Sequence, residues 1–206
     1  IKLFYKFFRK ILGFENRWGV AFSNNNKGFN FFNANKFKAN RMHFIADPFL
    51  FSFKNRTFCF VEEYSYKFKK GFISLYEINE SKSKYLGKVL EENFHLSFPY
   101  VFKYKNDIYM CPESSQNNDI RLYKSTEFPF KWKLEKILIN NICAADTLIF
   151  EKNSMWWMFT NIDPLRTGEN CSEFHIFYSN SPISNEWKSH KMNPIIIDSQ
   201  ISRNAG

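Results

Sequence analysis

Cysteine is scarce in this chain, and none of its thiols is spaced for metal chemistry. Cys59, Cys111, Cys143 and Cys171 make no C-x-x-C pair, so buried free thiols are expected rather than a zinc site. No apolar run approaches the ~20 residues that span a bilayer. No secretory apolar region with a small-residue cleavage site is present either. There is no G-x-S-x-G, H-E-x-x-H, Walker loop or G-x-G-x-x-G. The chemistries those motifs carry are excluded on this reading, and neither a cofactor nor a metal is expected.

Acidic residues are nearly missing from one region. Residues 1–45 hold nine Lys/Arg against one acid, Glu15, a charge of +8, whereas residues 46–206 hold twenty against nineteen, or +1. The net charge of +9 therefore belongs almost wholly to the N-terminal end. A body so close to neutral offers no broad footprint for phosphates, and nucleic acid is not an expected partner. Residues 1–12, IKLFYKFFRKIL, place apolar side chains at 3, 4, 7, 8, 11 and 12, the spacing of a short amphipathic helix. Packing against this domain or another one is the expected use, with weak contact to an anionic membrane as the alternative. Residues 1–16 read as an arm or linker, and residues 17–206 as the domain proper. The chain opens on Ile1 and closes on Arg-Asn-Ala-Gly in mid-pattern, so both ends read as cut from a longer chain.

What is abundant is aromatic. Phe, Tyr and Trp make up 20% of the residues, with 26 Phe, and they favour pleated, half-buried surfaces. Part of that excess is what an AT-rich genome would give. The informative feature is an internal repeat from residue 44 onward. ADPFLFSFKNRTFCFVEE (46–63), SFPYVFKYKNDIYMCPES (97–114) and AADTLIFEKNSMWWMFTN (145–162) align without gaps in their first halves, at offsets of 51 and 48. Lys54-Asn55, Lys105-Asn106 and Lys152-Asn153 mark turns between the first two strands. A third strand ends in Leu75-Tyr76, Leu122-Tyr123 or Phe177-Tyr178. Trp132 and Trp187 follow nine residues after the last two tyrosines. GKVLEE, EKILIN and KMNPIII supply a fourth strand. Four short strands in about fifty residues, repeated, predict an all-β fold of propeller blades, each needing neighbours to bury its faces. A β-sandwich is the competing fold. The blades run over about 44–96, 97–144 and 145–197, and residues 198–206 open a fourth.

In a propeller the innermost strand of each blade lines the central channel. Asp47 and Asp146 open first strands at the same repeat position. Glu62 and Glu113 close second strands, and Asn161 takes that place in the third repeat. Antiparallel pairing brings the start of one strand beside the end of the next, so one acidic pocket at the channel mouth is predicted. Like charges raise one another's pKa, a cost retained where something uses the cluster. Paired carboxylates suit glycoside hydrolysis, one as base toward water and one as acid toward the leaving oxygen. They equally suit plain sugar binding. For Asp47 alone a turn before Pro48 explains the residue as well as function does, whereas the set of four favours function. His95 is placed at the rim, to donate to a bound hydroxyl or to serve structure. Arg203 is placed on the channel side, to offset the acids or bind an anionic group. Trp156 and Trp157 point to opposite faces, one into the core.

Read in order, ADPFLF, FVEEY, HLSFPYVF, CPESS, LYKSTEFPFKW, AADTLIF and SRNAG resemble the N-terminal domain of plant glucosamine inositolphosphorylceramide transferase and its bacterial relatives. The resemblance covers roughly residues 17–206. It implies a glycan-recognising domain whose ligand is a carbohydrate or glycolipid head group. It also implies a larger protein, with a glycosyltransferase domain following in plants and a formyltransferase-like domain preceding in some bacteria. More distantly, the chain is similar to five-bladed propeller glycosidases of the arabinanase and xylosidase type. There the Asp of an Asp-Pro opening is the general base, which Asp47 matches. An Asp opening the third blade tunes that pair, which Asp146 matches. Their general acid is a Glu of the fourth blade, beyond Gly206, and Glu113 on the second blade is not its equivalent. Inverting hydrolysis with Asp47 as base therefore stands as the alternative to recognition.

Overall fold

The computed structural model describes residues 18–23, 32, 34–80, 82–168 and 173–204. The helix expected over residues 1–12 lies outside the described residues, as does Cys171. A small pair of strands comes first, β1 (Ala21–Phe22) against β2 (Asn35–Lys36). Three antiparallel sheets follow, each built from consecutive strands. The first holds β3 (His43–Phe53), β4 (Arg56–Ser65), β5 (Lys70–Asn79) and β6 (Lys82–Leu90). The second holds β7 (Ser97–Tyr104), β8 (Asp107–Glu113), β9 (Asp119–Glu127) and β10 (Lys131–Asn140). The third holds β11 (Ala144–Lys152), β12 (Met155–Ile162), β13 (Glu173–Ser179) and the short β14 (Lys188–Ser189), with β15 (Ile196–Ile197) also pairing β13. This is a β-propeller built from four-stranded blades.

Burial explains why the second strands read as nearly unbroken apolar runs. Phe58 and Phe60 of β4 point into a core shared with Val101, Ile108 and Met110 of the second blade. Cys59 and Val61, on the other face of β4, pack with Val20, Phe37 and Tyr76 beneath β1 and β2. In β8, Ile108 and Met110 face the first blade, whereas Tyr109 and Cys111 face Ile149, Trp156 and Met158 of the third. A strand covered on both sides cannot alternate apolar with polar. Each such side chain contributes about 1.5–3 kcal/mol when fully buried. Trp156 is core, and Trp157 lies on the other face against Tyr178.

Two details differ from the sequence reading. The third inner hairpin turns at Asn153–Ser154, because Lys152 pairs with Met155 and so belongs to the strand. The apolar-Tyr pairs sit inside the third strands, which run on to Asn79, Glu127 and Ser179.

Candidate functional site

Each innermost strand carries one extra residue at the same place. Pairing slips between Ala46 and Phe49, between Ser97 and Tyr100, and between Ala145 and Leu148. Such a bulge bends the strand and re-aims a side chain. At all three slips a residue sits in the left-handed region: Asp47 at φ 47°, Phe98 at 44° and Asp146 at 52°. Asp tolerates that conformation better than most residues. Opposite the residue before each bulge stands the matching residue of the second strand: Ala46 against Glu62, Ser97 against Glu113, Ala145 against Asn161; Glu113 closes its strand, whereas β4 runs three residues past Glu62 to Ser65.

The bulges open on a cleft of about 360 Å³ walled by Pro48, Phe49, Phe98, Pro99 and Tyr100 and edged by Asp47, Asp146, Arg203 and Asn204. Arg203 Nε donates to Asp146 Oδ2 at 2.8 Å, and the Phe98 amide donates to Asp47 Oδ2 at 3.2 Å. The strand pieces that form the wall also bind the blades together. Phe49 meets the Tyr100 ring edge to face at 5.1 Å, and the Tyr100 hydroxyl donates to the Ile149 carbonyl at 2.8 Å.

Glu62 and Glu113 stand behind the cleft rather than in its wall, with 7% and 9% of their surface exposed. Burial raises the Glu62 carboxyl to about 8, and the charges of Asp47 and Glu113 and a hydrogen bond with Asp47 add to the rise. Two carboxyl groups bond side by side only with a proton between them. Burial likewise lifts Glu113 to about 7; the Ser115 hydroxyl, donating to Oε1 at 2.7 Å, opposes it, and Asp146 and Asp47 reinforce it. Asp146 is raised by burial, with Arg203 opposing and Asp47 adding.

His95 lies behind Glu62. Its Nδ1 accepts the Gly71 amide at 2.9 Å, so the ring proton belongs on Nε2, which is 3.4 Å from Glu62 Oε1. Burial lowers the imidazole pKa, against the pull of Asp47, and keeps the ring neutral. The approach requires glycine at 71. A Cβ there would lie 2.6 Å from the Leu96 carbonyl oxygen and 2.7 Å from His95 Cε1.

The third blade carries no acid at the end of its second strand. Asn161 Nδ2 donates to the Ser202 carbonyl at 2.7 Å and its Oδ1 accepts the Asn204 amide at 2.5 Å. Asn204 Nδ2 reaches the Asp146 carbonyl at 2.8 Å. These bonds hold residues 202–204 against the cleft. The structure thus gathers Asp47, Asp146 and Arg203 at the opening and sets Glu62, Glu113 and His95 behind them. Asn204 and Gly71 were not singled out from sequence, although Asn161 falls at the aligned position of the two glutamates. Among the described residues, no His/Cys/Asp/Glu group is arranged to hold a metal.

Solved glycoside hydrolases share this propeller fold. The exo-β-1,3-galactanase of Phanerochaete chrysosporium superposes with a TM-score of 0.61 at 9% identity, over 72% of this chain and 36% of that one. A family 117 glycoside hydrolase of Zobellia galactanivorans gives 0.59 at 10% identity, over 87% and 63%. At such identities the likeness is one of fold alone. The chain itself belongs to the family of the N-terminal part of glucosamine inositolphosphorylceramide transferase 1, whose model matches residues 29–206. The rice (Oryza sativa subsp. japonica) protein of that name is 40% identical over 156 residues, 74% of this chain. The match spans only 21% of the rice protein's length.

Proposed function

We propose that this propeller recognises a glycan, in the cleft between Asp47, Asp146 and Arg203, as one domain of a larger glycan-synthesising protein. The observation that carries this reading is the make-up of the cleft. Aspartates turned inward by two bulges offer acceptors to hydroxyls, Arg203 offers a donor, and Phe49, Phe98 and Tyr100 offer apolar surface to ring C–H groups. A concave site with apolar walls and few convergent polar groups suits a small polar ligand. Carboxylates favour a neutral or amino sugar and repel an acidic one. The relatives' name, glucosamine inositolphosphorylceramide transferase, points the same way, to an amino sugar or glycolipid head group as ligand and to transfer elsewhere in the full-length chain. Asp47 and Asp146 are the central groups on this reading, Arg203 a direct contact, and Glu62, Glu113 and His95 the groups that hold Asp47 and Asp146 in their charge state.

The test is calorimetric or NMR titration of soluble neutral, amino and acidic sugars. Asp47→Asn or Asp146→Asn is expected to cost about 1–3 kcal/mol of binding, as for a lost charge-assisted hydrogen bond, with the fold intact. Undiminished binding by the double variant would refute the reading. One observation favours hydrolysis as a second reading: Glu113 keeps its proton to about 7 beside a carboxylate pair, and carboxyls driven apart in pKa can share acid and base roles. Release of reducing sugar from a glycoside, lost in Asp47→Asn, would select that reading.

A further inference from the structure

We propose that the channel mouth on the Asp47 side is a docking surface for an anionic lipid membrane, with Phe68 and Met42 as its apolar contacts. The inference stands apart from the sugar reading and rests on two turns of the first blade. His43 pairs with Ser65, and Ala46 pairs with Glu62. The turn before β3 and the loop from β4 to β5 therefore project beyond Asp47 and Glu62 on the same edge. They lie side by side, with the Tyr66 amide donating to the Met42 carbonyl at 3.1 Å. Both present large apolar side chains to solvent, Met42 at 57% and Phe68 at 70% exposure.

Neither exposure is a frayed end. The Met42 amide donates to Asn40 Oδ1 at 2.9 Å, and the Phe68 amide to Ser65 Oγ at 3.4 Å. Cations flank both residues. Arg41 precedes Met42, and Lys67 and Lys69 bracket Phe68, with Lys67 Nζ 5.3 Å from the Phe68 ring centroid. Among the described residues no carboxylate pairs with Arg41, Lys67 or Lys69, whereas the neighbouring Lys70 is paired with Glu91. The third blade repeats the arrangement. Its loop leaves β12 just past Asn161, the counterpart of Glu62, and exposes Leu165 at 82% beside Arg166. Asp163 braces that loop by accepting the Gly168 amide at 2.8 Å. Apolar tips set among cations match the interfacial zone of a membrane, where side chains enter the acyl boundary and cations meet lipid phosphates. A mouth so docked would face its cleft toward lipid head groups.

The experiment is co-sedimentation of the whole chain with phosphatidylcholine vesicles, with and without phosphatidylserine. Binding is expected only with phosphatidylserine, and to weaken as salt rises. Lys67→Ala with Lys69→Ala should weaken it about 30-fold, and Phe68→Ser about tenfold. Thermal melting reports whether each variant is folded. Phe68→Trp gives a second readout, since its added fluorescence should be quenched by brominated lipid. Three results would overturn the proposal: equal binding to neutral vesicles, unchanged binding by both folded loop variants, or full displacement by heparin with no quenching at position 68. The loop variants should leave titration by soluble sugar unchanged, so failure here is separable from failure of the glycan reading.

Discussion

The first and third blades present the same backbone to the channel and use it differently. Both place an aspartate at the bulge, Asp47 and Asp146, at φ 47° and 52°. They differ one strand away. In the first blade the opposing position is Glu62, whose raised carboxyl bonds Asp47 and lies beside His95. In the third it is Asn161, whose amide bonds the backbone of residues 202 and 204 and so brings Arg203 to Asp146. One aspartate is thus partnered by a carboxyl and the other by a cation. The bulge fixes where a carboxylate points, and the neighbouring strand decides what charge it shows.

The largest expected effect breaks the first-blade half. Gly71→Ala would set a Cβ 2.6 Å from the Leu96 carbonyl oxygen and 2.7 Å from the His95 ring. Overpacking of a rigid backbone site costs about 1–3 kcal/mol. Urea unfolding should show that loss. NMR should show the His95 ring freed, titrating nearer its ordinary value than in the parent. An unchanged midpoint would mean that the ring does not depend on this close approach.

The third-blade half should break more gently. Asn161→Ala removes two bonds to the backbone of residues 202–204, and buried neutral hydrogen bonds contribute about 1 kcal/mol each. The expected loss is about 1–2 kcal/mol. More telling is its location. Amide exchange at Asn204 should quicken, whereas amides of β4 and β8 stay protected. Uniform quickening across all blades would show Asn161 to be a general core residue rather than an anchor for this segment.

The repeat itself was legible because each blade must bury the same faces. That requirement left Phe58-Phe60 and Tyr109-Cys111 at matching positions on one face, and Ile108-Met110 and Trp156-Met158 at matching positions on the other. The nearness of Asp47 to Glu62 followed from strand order alone. The depth of each carboxyl did not. A bulge adds one residue and turns the side chain, so counting along a strand cannot say that Asp47 edges the cleft while Glu62 sits beneath it. The Gly71–His95–Glu62 contact was out of reach for another reason. It joins β5, the segment before β7 and β4, and residues 71 and 95 belong to different parts of the repeat. The third hairpin was misplaced by one residue because Lys152-Asn153 looks like the two earlier Lys-Asn turns, whereas pairing of Lys152 with Met155 extends the strand.

The smallest effect is one of pH, and it isolates the proton on Glu62. In the fold this carboxyl is raised to about 8, while an unfolded glutamate releases its proton near 4.3. Between those values the folded state binds more protons than the unfolded one, so stability falls as pH rises. The contribution is most favourable below about 4.3 and is lost once the pH passes about 8. Glu113, raised to about 7, acts with the same sign over a narrower window. His95 acts oppositely: its lowered pKa makes stability rise with pH up to the unfolded value of about 6.5. The sum is therefore a poor test, and a difference is a good one. Glu62→Gln keeps a donor for Asp47 and an acceptor for His95 but has no proton to lose. Relative to the parent, it should gain about 1 kcal/mol between pH 5 and pH 8, well short of the full shift because water and side chains relax around a buried charge. Urea titrations of both proteins at the two pH values measure it. A flat difference would mean that Glu62 ionises like a surface glutamate, and the two aspartates would then differ in position alone.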